Sequence, residues 1–293
     1  MSDSFQFSAG TALAGTPLPA GACDCHIHVY DGRIPAVTGA SLHPPDASVD
    51  DYRQVQQRMG TQRAVLVTPS TYGADNRPML AGLAQLGAQG RGVAVITGQE
   101  RMDELEALHE LGVRGVRINL SLGVLHQASD IEKLVRRIAP LGWHLQLLMP
   151  LDRLASLGER LHALPVQLVF DHFGRLTPSV CGQHPGHALL LELLRARRAW
   201  VKLSGGYLVS DTGQSEDPQL LPLARSFIDA APDRVLWGSD WPHATASAGR
   251  HPMPDDAAQI DALARWAGDA NQLQHILVNN PQTLYGFAAI KES

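Results

Sequence analysis

Eight short apolar runs alternate with amphipathic stretches along the chain. They span residues 22–29, 63–68, 92–97, 113–118, 144–148, 166–170, 200–203 and 235–238. Several are Val, Leu and Ile with little polar alternation, the pattern of parallel strands covered on both faces. Apolar positions at helical spacing fill the intervals. One helix is expected from Ser48 to Gly60, because Ser48 and Asp51 have capping-box spacing and Gly60 is a stop signal. Others are expected over 75–86, 102–111, 129–141 (capped by Ser129), 151–163, 187–199, 217–230, 255–267 and 273–278. This alternation predicts an α/β fold, a single-domain (β/α)8 TIM barrel over residues 21–293. Residues 1–20, rich in Ala, Gly, Ser, Thr and Pro, are expected to form a flexible N-terminal segment.

Composition agrees with one large core. The chain has 293 residues, 44% of them hydrophobic and 18% charged, too few charges for long disordered tails. With 24 Lys and Arg against 29 Asp and Glu, the formal charge is −5. That excludes a general nucleic-acid binder but leaves room for a locally basic pocket. No apolar run approaches the ~18 residues of a membrane span. The first twenty residues contain no Lys or Arg and so lack the basic start of a secretory signal. A cytoplasmic protein with no membrane partner is expected. Cys23, Cys25 and Cys181 do not form the spacing of a disulfide framework or a zinc pair, and read as small buried hydrophobes.

The longest irregular stretches, 30–45, 171–185 and 204–217, each follow an expected strand. In a barrel, loops in that position form the active-site face. Three strand ends carry candidate chemistry. The first is Asp24-Cys25-His26-Ile27-His28, whose two imidazoles, two residues apart, should share one face and point into the barrel mouth. The second is Asp171-His172, with Arg175 in the loop that follows. The third is Ser239-Asp240-Trp241-Pro242-His243, where Asp240 suits a general base or a metal ligand; a helix cap is the competing reading.

Histidines on strand 1, a histidine on strand 6 and an aspartate on strand 8 resemble, as a set, the amidohydrolase superfamily. The segments GVRGVRIN (112–119), FDHFGR (170–175), VKLSG (201–205), WGSDWPH (237–243) and NNPQTLYGF (279–287) narrow the resemblance to its amidohydrolase-2 branch. That branch includes 2-pyrone-4,6-dicarboxylate lactonases and sugar-acid lactonases. The resemblance runs from about Gly21 to Phe287. It implies a hydrolase that opens the ring of a carboxylated lactone, pyrone-dicarboxylate-like or sugar-acid, by attack of an activated water. Asp240 would be the general base. His26, His28 and His172 would polarise the carbonyl, directly or through a metal. Arg117 and Arg175 would pair with a substrate carboxylate, which the guanidinium fork suits. Tyr72, Tyr207 and His243 are further candidate substrate ligands. For Arg117 a salt bridge to a neighbouring helix is the competing reading, for Lys202 a surface cation, and for Asp75 and Asn76 a turn and helix cap.

His26, His28, His172 and Asp240 would suit one divalent ion, Zn²⁺ or Mn²⁺, and metal-free catalysis stands equal beside it. A binuclear centre is not expected. Strand 4 carries Arg117 and Asn119 where a bridging Lys or Glu would sit, and strand 5 carries Gln146 where a His would be useful. Leu148 stands where the pyrone lactonases have a Tyr, and the loop from Ser204 to Ser210 offers Tyr207 but no Arg. A hydroxylated sugar-acid lactone therefore fits at least as well as a pyrone. The same branch contains lactone isomerases and metal-dependent decarboxylases, the alternatives to hydrolysis.

Overall fold

In the computed structural model, which describes residues 5–121 and 125–290, the apolar runs form eight parallel strands hydrogen-bonded in chain order. These are β1 (Cys23–Ile27), β2 (Arg63–Val67), β3 (Gly90–Ala94), β4 (Val113–Asn119), β5 (His144–Leu148), β6 (Leu168–Phe170), β7 (Ala199–Ser204) and β8 (Val235–Gly238). The helices are α1 (Val49–Met59), α2 (Arg77–Leu86), α3 (Met102–Glu110), α4 (Ile131–Ile138), α5 (Leu151–Ser156), α6 (Gly158–Ala163), α7 (Pro185–Arg195), α8 (Leu220–Ala230), α9 (Ala244–Ser247), α10 (Asp256–Ala267), α11 (Ala270–Gln274) and α12 (Asn280–Tyr285). This is the expected (β/α)8 barrel. Among the described residues, no helix is long and apolar enough to cross a membrane.

Local sequence explains most boundaries. At α1 the expected capping box is present: the Asp51 amide donates to Ser48 Oγ at 3.2 Å and the Ser48 amide to Asp51 Oδ2 at 3.0 Å. Gly60 ends that helix at φ 87°. Ser129 does not cap the next expected segment. Instead Asp130 Oδ2 accepts from the Gln127 amide at 2.8 Å, and a single 3-10 turn precedes α4. The 151–163 segment breaks at Leu157, ahead of Gly158, into α5 and α6. Ala199, expected at the end of a helix, belongs to β7, because Pro185 starts α7 early and Arg197 turns left-handed at φ 57°.

The barrel interior changes character along its axis. Cys23, Cys25, Val65, Val93, Val169, Trp200 and Leu236 pack with Tyr285 and Phe287 into one apolar cluster. Residues that alternate with these on the strands, such as Leu66, Leu168 and Trp237, pack in the larger cluster with the helices. The interior also holds buried Gln146, Asp171 and Lys202, so its filling turns polar towards the strands' C-terminal ends.

Seven neighbouring strand pairs carry ladders, but β8 and β1 do not. Closure there rests on the Asp240 amide donating to the His26 carbonyl at 2.9 Å and the His28 amide donating to the Trp241 carbonyl at 2.8 Å. The Asp24 carboxylate fills the rest of the seam. Its Oδ1 accepts from the Ser239 amide at 2.9 Å and the His26 amide at 3.2 Å; its Oδ2 accepts from Ser239 Oγ at 2.6 Å and Tyr52 on α1 at 3.1 Å. Burial raises the Asp24 pKa to about 6 against these bonds.

Residues 5–20 contain no helix or strand, yet they are held against α1 and α10. Arg58 donates to the carbonyls of Ala9 and Ala12 and to Ser8 Oγ, and Asp261 accepts from the amides of Gly15 and Thr16. Residues 1–4 of the expected flexible segment lie outside the described residues.

Gly238 gives the seam its close approach: a Cβ there would lie 2.5 Å from His26 Cβ and 2.7 Å from the His26 nitrogen. Gly238→Ala should therefore cost about 1–3 kcal/mol of overpacking, read as a drop of several degrees in melting temperature. A melting temperature unchanged within a degree would show that the seam can yield.

Candidate active site

The strand ends bring His26, His28, His172 and Asp240 together at the barrel mouth. Pairing with β2 is irregular between Asp24 and Ile27. Strict alternation would put Asp24 on the same face as the histidines. Instead it reaches Tyr52 and Ser239, while His26 faces Asp171 and Lys202 across the barrel. His28 donates Nδ1–H to the Val67 carbonyl at 2.7 Å, so its Nε2 is left as the acceptor, 3.3 Å from His26 Nε2. His172 and Asp240 both sit in left-handed backbone, at φ 50° and 71°. Gly205, at φ 57°, lets β7 turn beside the ring, since a Cβ there would come within 2.8 Å of His172 Nδ1. That nitrogen is 3.0 Å from Ser204 Oγ.

Asp240 is the point of convergence. Its Oδ1 lies 3.7, 4.0 and 3.8 Å from Nε2 of His26, His28 and His172. Its Oδ2 accepts the Tyr207 hydroxyl at 2.8 Å. Burial alone would raise the Asp240 pKa; His172, His26 and His28 outweigh it and hold the carboxyl below its ordinary value. Burial lowers all three histidines, His28 to about 4. The site is thus one carboxylate among neutral imidazoles at neutral pH.

A second polar layer lies beneath. Lys202 is fully buried, not a surface cation. Its Nζ donates to Gln146 Oε1 at 2.7 Å and lies 3.3 Å from His26 Nδ1 and 3.5 Å from Asp171 Oδ1. Gln146 Nε2 donates to Asp171 Oδ2 at 3.0 Å, and Arg117 Nε is 3.4 Å from the same oxygen. Arg117 therefore pairs with a neighbouring strand end, not with a helix. Burial pushes Asp171 up, but His26 and Lys202 pull it well below the usual carboxylate range.

Above these groups opens a cavity of about 320 Å³, lined by His28, His172, Asp240, Arg117, Arg175 and Tyr207, among others. Arg175 makes no hydrogen bond or close ion pair among the described residues; burial lowers its pKa, and the Asp240 carboxylate opposes that shift. Two expected substrate ligands lie outside this lining. The Tyr72 hydroxyl donates to the Asp31 carbonyl at 3.1 Å, and the 3-10 turn Ser70–Tyr72 leaves Tyr30 on the cavity wall instead. His243 is fully buried, with Nε2 3.1 Å from Asp256 Oδ1. Asp75 and Asn76 also take structural roles: Asp75 pairs with Arg77, and Asn76 bonds Thr68 and the Val95 backbone. Tyr30, Asn119, Arg250 and His251 line the cavity without having been singled out as substrate ligands. Asn119 was within reach, two residues beyond Arg117 on one strand; Arg250 and His251 come from the loop after α9 and carry no local signal.

The four convergent atoms also suit one ion. In a tetrahedral zinc site, bonds of about 2.1 Å place neighbouring ligand atoms roughly 3.4 Å apart; His26 Nε2 and His28 Nε2 are 3.3 Å apart, and Asp240 Oδ1 lies 3.7–4.0 Å from the three Nε2 atoms. His26, His28 and Asp240 form one ligand group and His26, Asp171 and His172 another, so the two share His26. Lys202 already lies beside Asp171 Oδ1 and the far face of His26. Lys202 thus stands where a second ion between His26 and Asp171 would have to sit.

A family model described as amidohydrolase matches residues 23–287. The chain is 34% identical over 280 residues to a 2-pyrone-4,6-dicarboxylate hydrolase of Comamonas testosteroni, covering 92% of this chain and 91% of that protein. It is 31% identical over 281 residues to a 4-sulfomuconolactone hydrolase of Hydrogenophaga intermedia, covering 93% and 91%. Identity to a D-galactarolactone isomerase of Agrobacterium fabrum is 27% over 295 residues, covering 99% of each. Among solved structures, a probable 2-pyrone-4,6-dicarboxylic acid hydrolase from Acinetobacter baumannii with citric acid bound has a TM-score of 0.80 at 28% identity, covering 91% of this chain and 100% of that one.

The depressed histidines predict acid lability. A base lowered in the fold contributes stability above its unfolded value near 6.5, and that stability is lost as pH falls through the folded value. His26, His28, His172 and His144, the last lowered by burial to about 3, all act this way. Asp24 and His243, both raised, act in the opposite sense but are outnumbered. Melting temperature should fall between pH 6.5 and 4. His144, whose ring nitrogens have no partner among the described residues, gives the control: in His144→Leu the fall should be shallower. An equal slope in both proteins would remove the buried histidines as its cause.

Proposed function

The chain belongs to the amidohydrolase family, and on that footing we propose that it hydrolyses a carboxylated lactone, pyrone-dicarboxylate-like or derived from a sugar acid. The observation that carries this reading is the single carboxylate oxygen of Asp240, ringed by three imidazoles on the floor of a cavity whose wall presents Arg175, which makes no close ion pair. The names of the similar hydrolases support the reaction class.

In this reading Arg175 and Arg117 hold the substrate carboxylate, and the lactone carbonyl turns towards the histidines. Asp240 stays ionised because its neighbours favour the anion, and Tyr207 occupies one of its oxygens. The other oxygen is left to take a proton from water as that water adds to the carbonyl carbon. The tetrahedral intermediate then collapses, the ring C–O bond breaks, and the leaving oxygen receives the proton. General-base action of this kind typically contributes about 10²–10⁴-fold, and an aligned oxyanion donor about 10²–10³-fold. One divalent ion, Zn²⁺ or Mn²⁺, would be held by His26, His28, His172 and Asp240 and would supply Lewis-acid polarisation of the carbonyl. Leu148 gives the cavity wall an apolar face and Ser70, Thr245 and Ser121 line it as well, which suits a hydroxylated ring at least as well as a flat pyrone.

The test is a pH-indicator screen over pyrone, muconolactone and sugar-acid lactones, with and without chelator, followed by product NMR. An open-chain acid is expected. A rearranged lactone would replace hydrolysis with isomerisation, and carbon dioxide release would replace it with decarboxylation. On the substrate so found, Asp240→Asn should lower kcat by about 10³-fold or more with an unchanged melting temperature. Arg175→Met should raise KM about 10–100-fold with a smaller effect on kcat, the signature of lost carboxylate binding. Wild-type kcat in Asp240→Asn would remove that residue from the chemistry.

A further inference from the structure

We infer that Tyr30 is a specificity-determining residue, which accepts a hydrogen bond from a hydroxyl on the lactone and so favours sugar-acid lactones over pyrone-type ones. This role rests on the lactone hydrolysis proposed above and names the class of lactone that the site takes.

The Tyr30 side chain is held firmly at the cavity wall. Its backbone amide donates to the Ala47 carbonyl at 2.9 Å, and the Ala47 amide donates back to the Tyr30 carbonyl at 3.0 Å. Its ring packs edge-on against His28, with centroids 6.3 Å apart, and lies 5.9 Å from the Tyr72 ring. Tyr30 is only 6% exposed. Thr71, Asp240 and Arg117 are all close enough to act on its hydroxyl, and all three line the cavity with it. The hydroxyl therefore stands on the wall beside the candidate base.

What that hydroxyl can offer follows from its neighbours. A threonine hydroxyl has one hydrogen, and Thr71 gives it to the Leu42 carbonyl at 3.0 Å. The segment that carries this carbonyl is tied down a second time, since Arg250 Nη2 donates to the Ser41 carbonyl at 2.7 Å. Towards Tyr30, Thr71 is thus an acceptor. The Tyr30 hydrogen turns to it, and a lone pair of the phenol oxygen is left for the cavity. The other phenol on the wall is already engaged: Tyr207 donates to Asp240 Oδ2 at 2.8 Å and accepts from Thr245 Oγ1 at 3.3 Å. When a ligand displaces water, a buried acceptor must meet a donor or go unpaired. A lactone carbonyl, a ring oxygen and an ionised carboxylate only accept. A pyrone dicarboxylate has no other polar group, whereas a sugar-acid lactone carries hydroxyls that donate. Arg175 takes the carboxylate in either case, so the two classes differ at Tyr30.

A cycle that deletes the phenol oxygen and the substrate hydroxyl in turn tests this. kcat/KM is measured for the wild type and Tyr30→Phe on a sugar-acid lactone, on analogues that each lack one hydroxyl, and on a pyrone and a muconolactone. Tyr30→Phe keeps the ring and should leave the melting temperature unchanged. It should lower kcat/KM about 10-fold on the sugar-acid lactone, mainly through KM, and leave the pyrone and the muconolactone within about twofold. One deoxy analogue should be opened equally well by both proteins. An equal loss on every lactone would assign Tyr30 to the attacking water or to the wall in general, and overturns the proposal. So does an unchanged rate on the sugar-acid lactone. The wild type gives a test of its own: one deoxy analogue should be opened about 10-fold less well than its parent, and equal rates on all of them overturn the role of Tyr30 even where Tyr30→Phe fails to fold. A wild type that opens only pyrones removes this role and leaves lactone hydrolysis standing, while one that opens no lactone removes both.

Discussion

The closing seam of the barrel is the constraint on which the site depends. His26 stands on β1, His28 follows its end and Asp240 follows β8, so the convergence of the three is only as good as the joint between the first and last strands. That joint has no regular ladder. Two backbone bonds and the buried Asp24 carboxylate carry it. A carboxylate there is costly to bury, yet it satisfies amides that irregular backbone would otherwise leave unpaired. The irregular pairing that turns Asp24 outward is the same one that turns both histidines inward. Closure and the convergence of the candidate site residues are thus two results of one local departure from strand geometry.

Charge inside the barrel follows a simple order. Below lies an apolar cluster; above it, Asp171 is balanced by Lys202 and Arg117; above that, Asp240 stands among imidazoles that burial keeps neutral. Asp171 thus neutralises cations that would otherwise oppose the histidines. The guanidinium of Arg175 lies above, on the cavity wall. An anionic ligand in this cavity would meet a cation at the wall and neutral imidazoles around one carboxylate on the floor.

Much of this was legible in the sequence. Eight apolar runs gave all eight strands with ends within three residues, because parallel strands buried on both faces leave a strong pattern. His26, His28, His172 and Asp240 could be picked out because strand ends in a barrel converge on one face. What escaped depended on contacts between distant segments. Tyr72 looked available until the turn at Ser70 placed its hydroxyl on Asp31. His243 sits three residues from Asp240, but Asp256 claims its ring. Lys202 reads as an ordinary strand-end cation until its neighbours across the barrel are known, and helix boundaries slipped where the caps were Gln127 and His184 and not the expected residues.

The N-terminal segment gains a different meaning from its neighbours. Residues 5–20 lie across α1 and α10, which Arg58 and Asp255 also join at 2.6 Å, and the Trp241 indole donates to the Gln6 carbonyl. Tyr52 on α1 and Trp241 after β8 belong to the seam itself. The segment is therefore an outer strap over the joint, not a tail. A shortened chain starting at residue 21 would keep every strand, every helix and every catalytic candidate. It would lose the bonds this segment makes to Arg58, Asp261 and Trp241 around that joint.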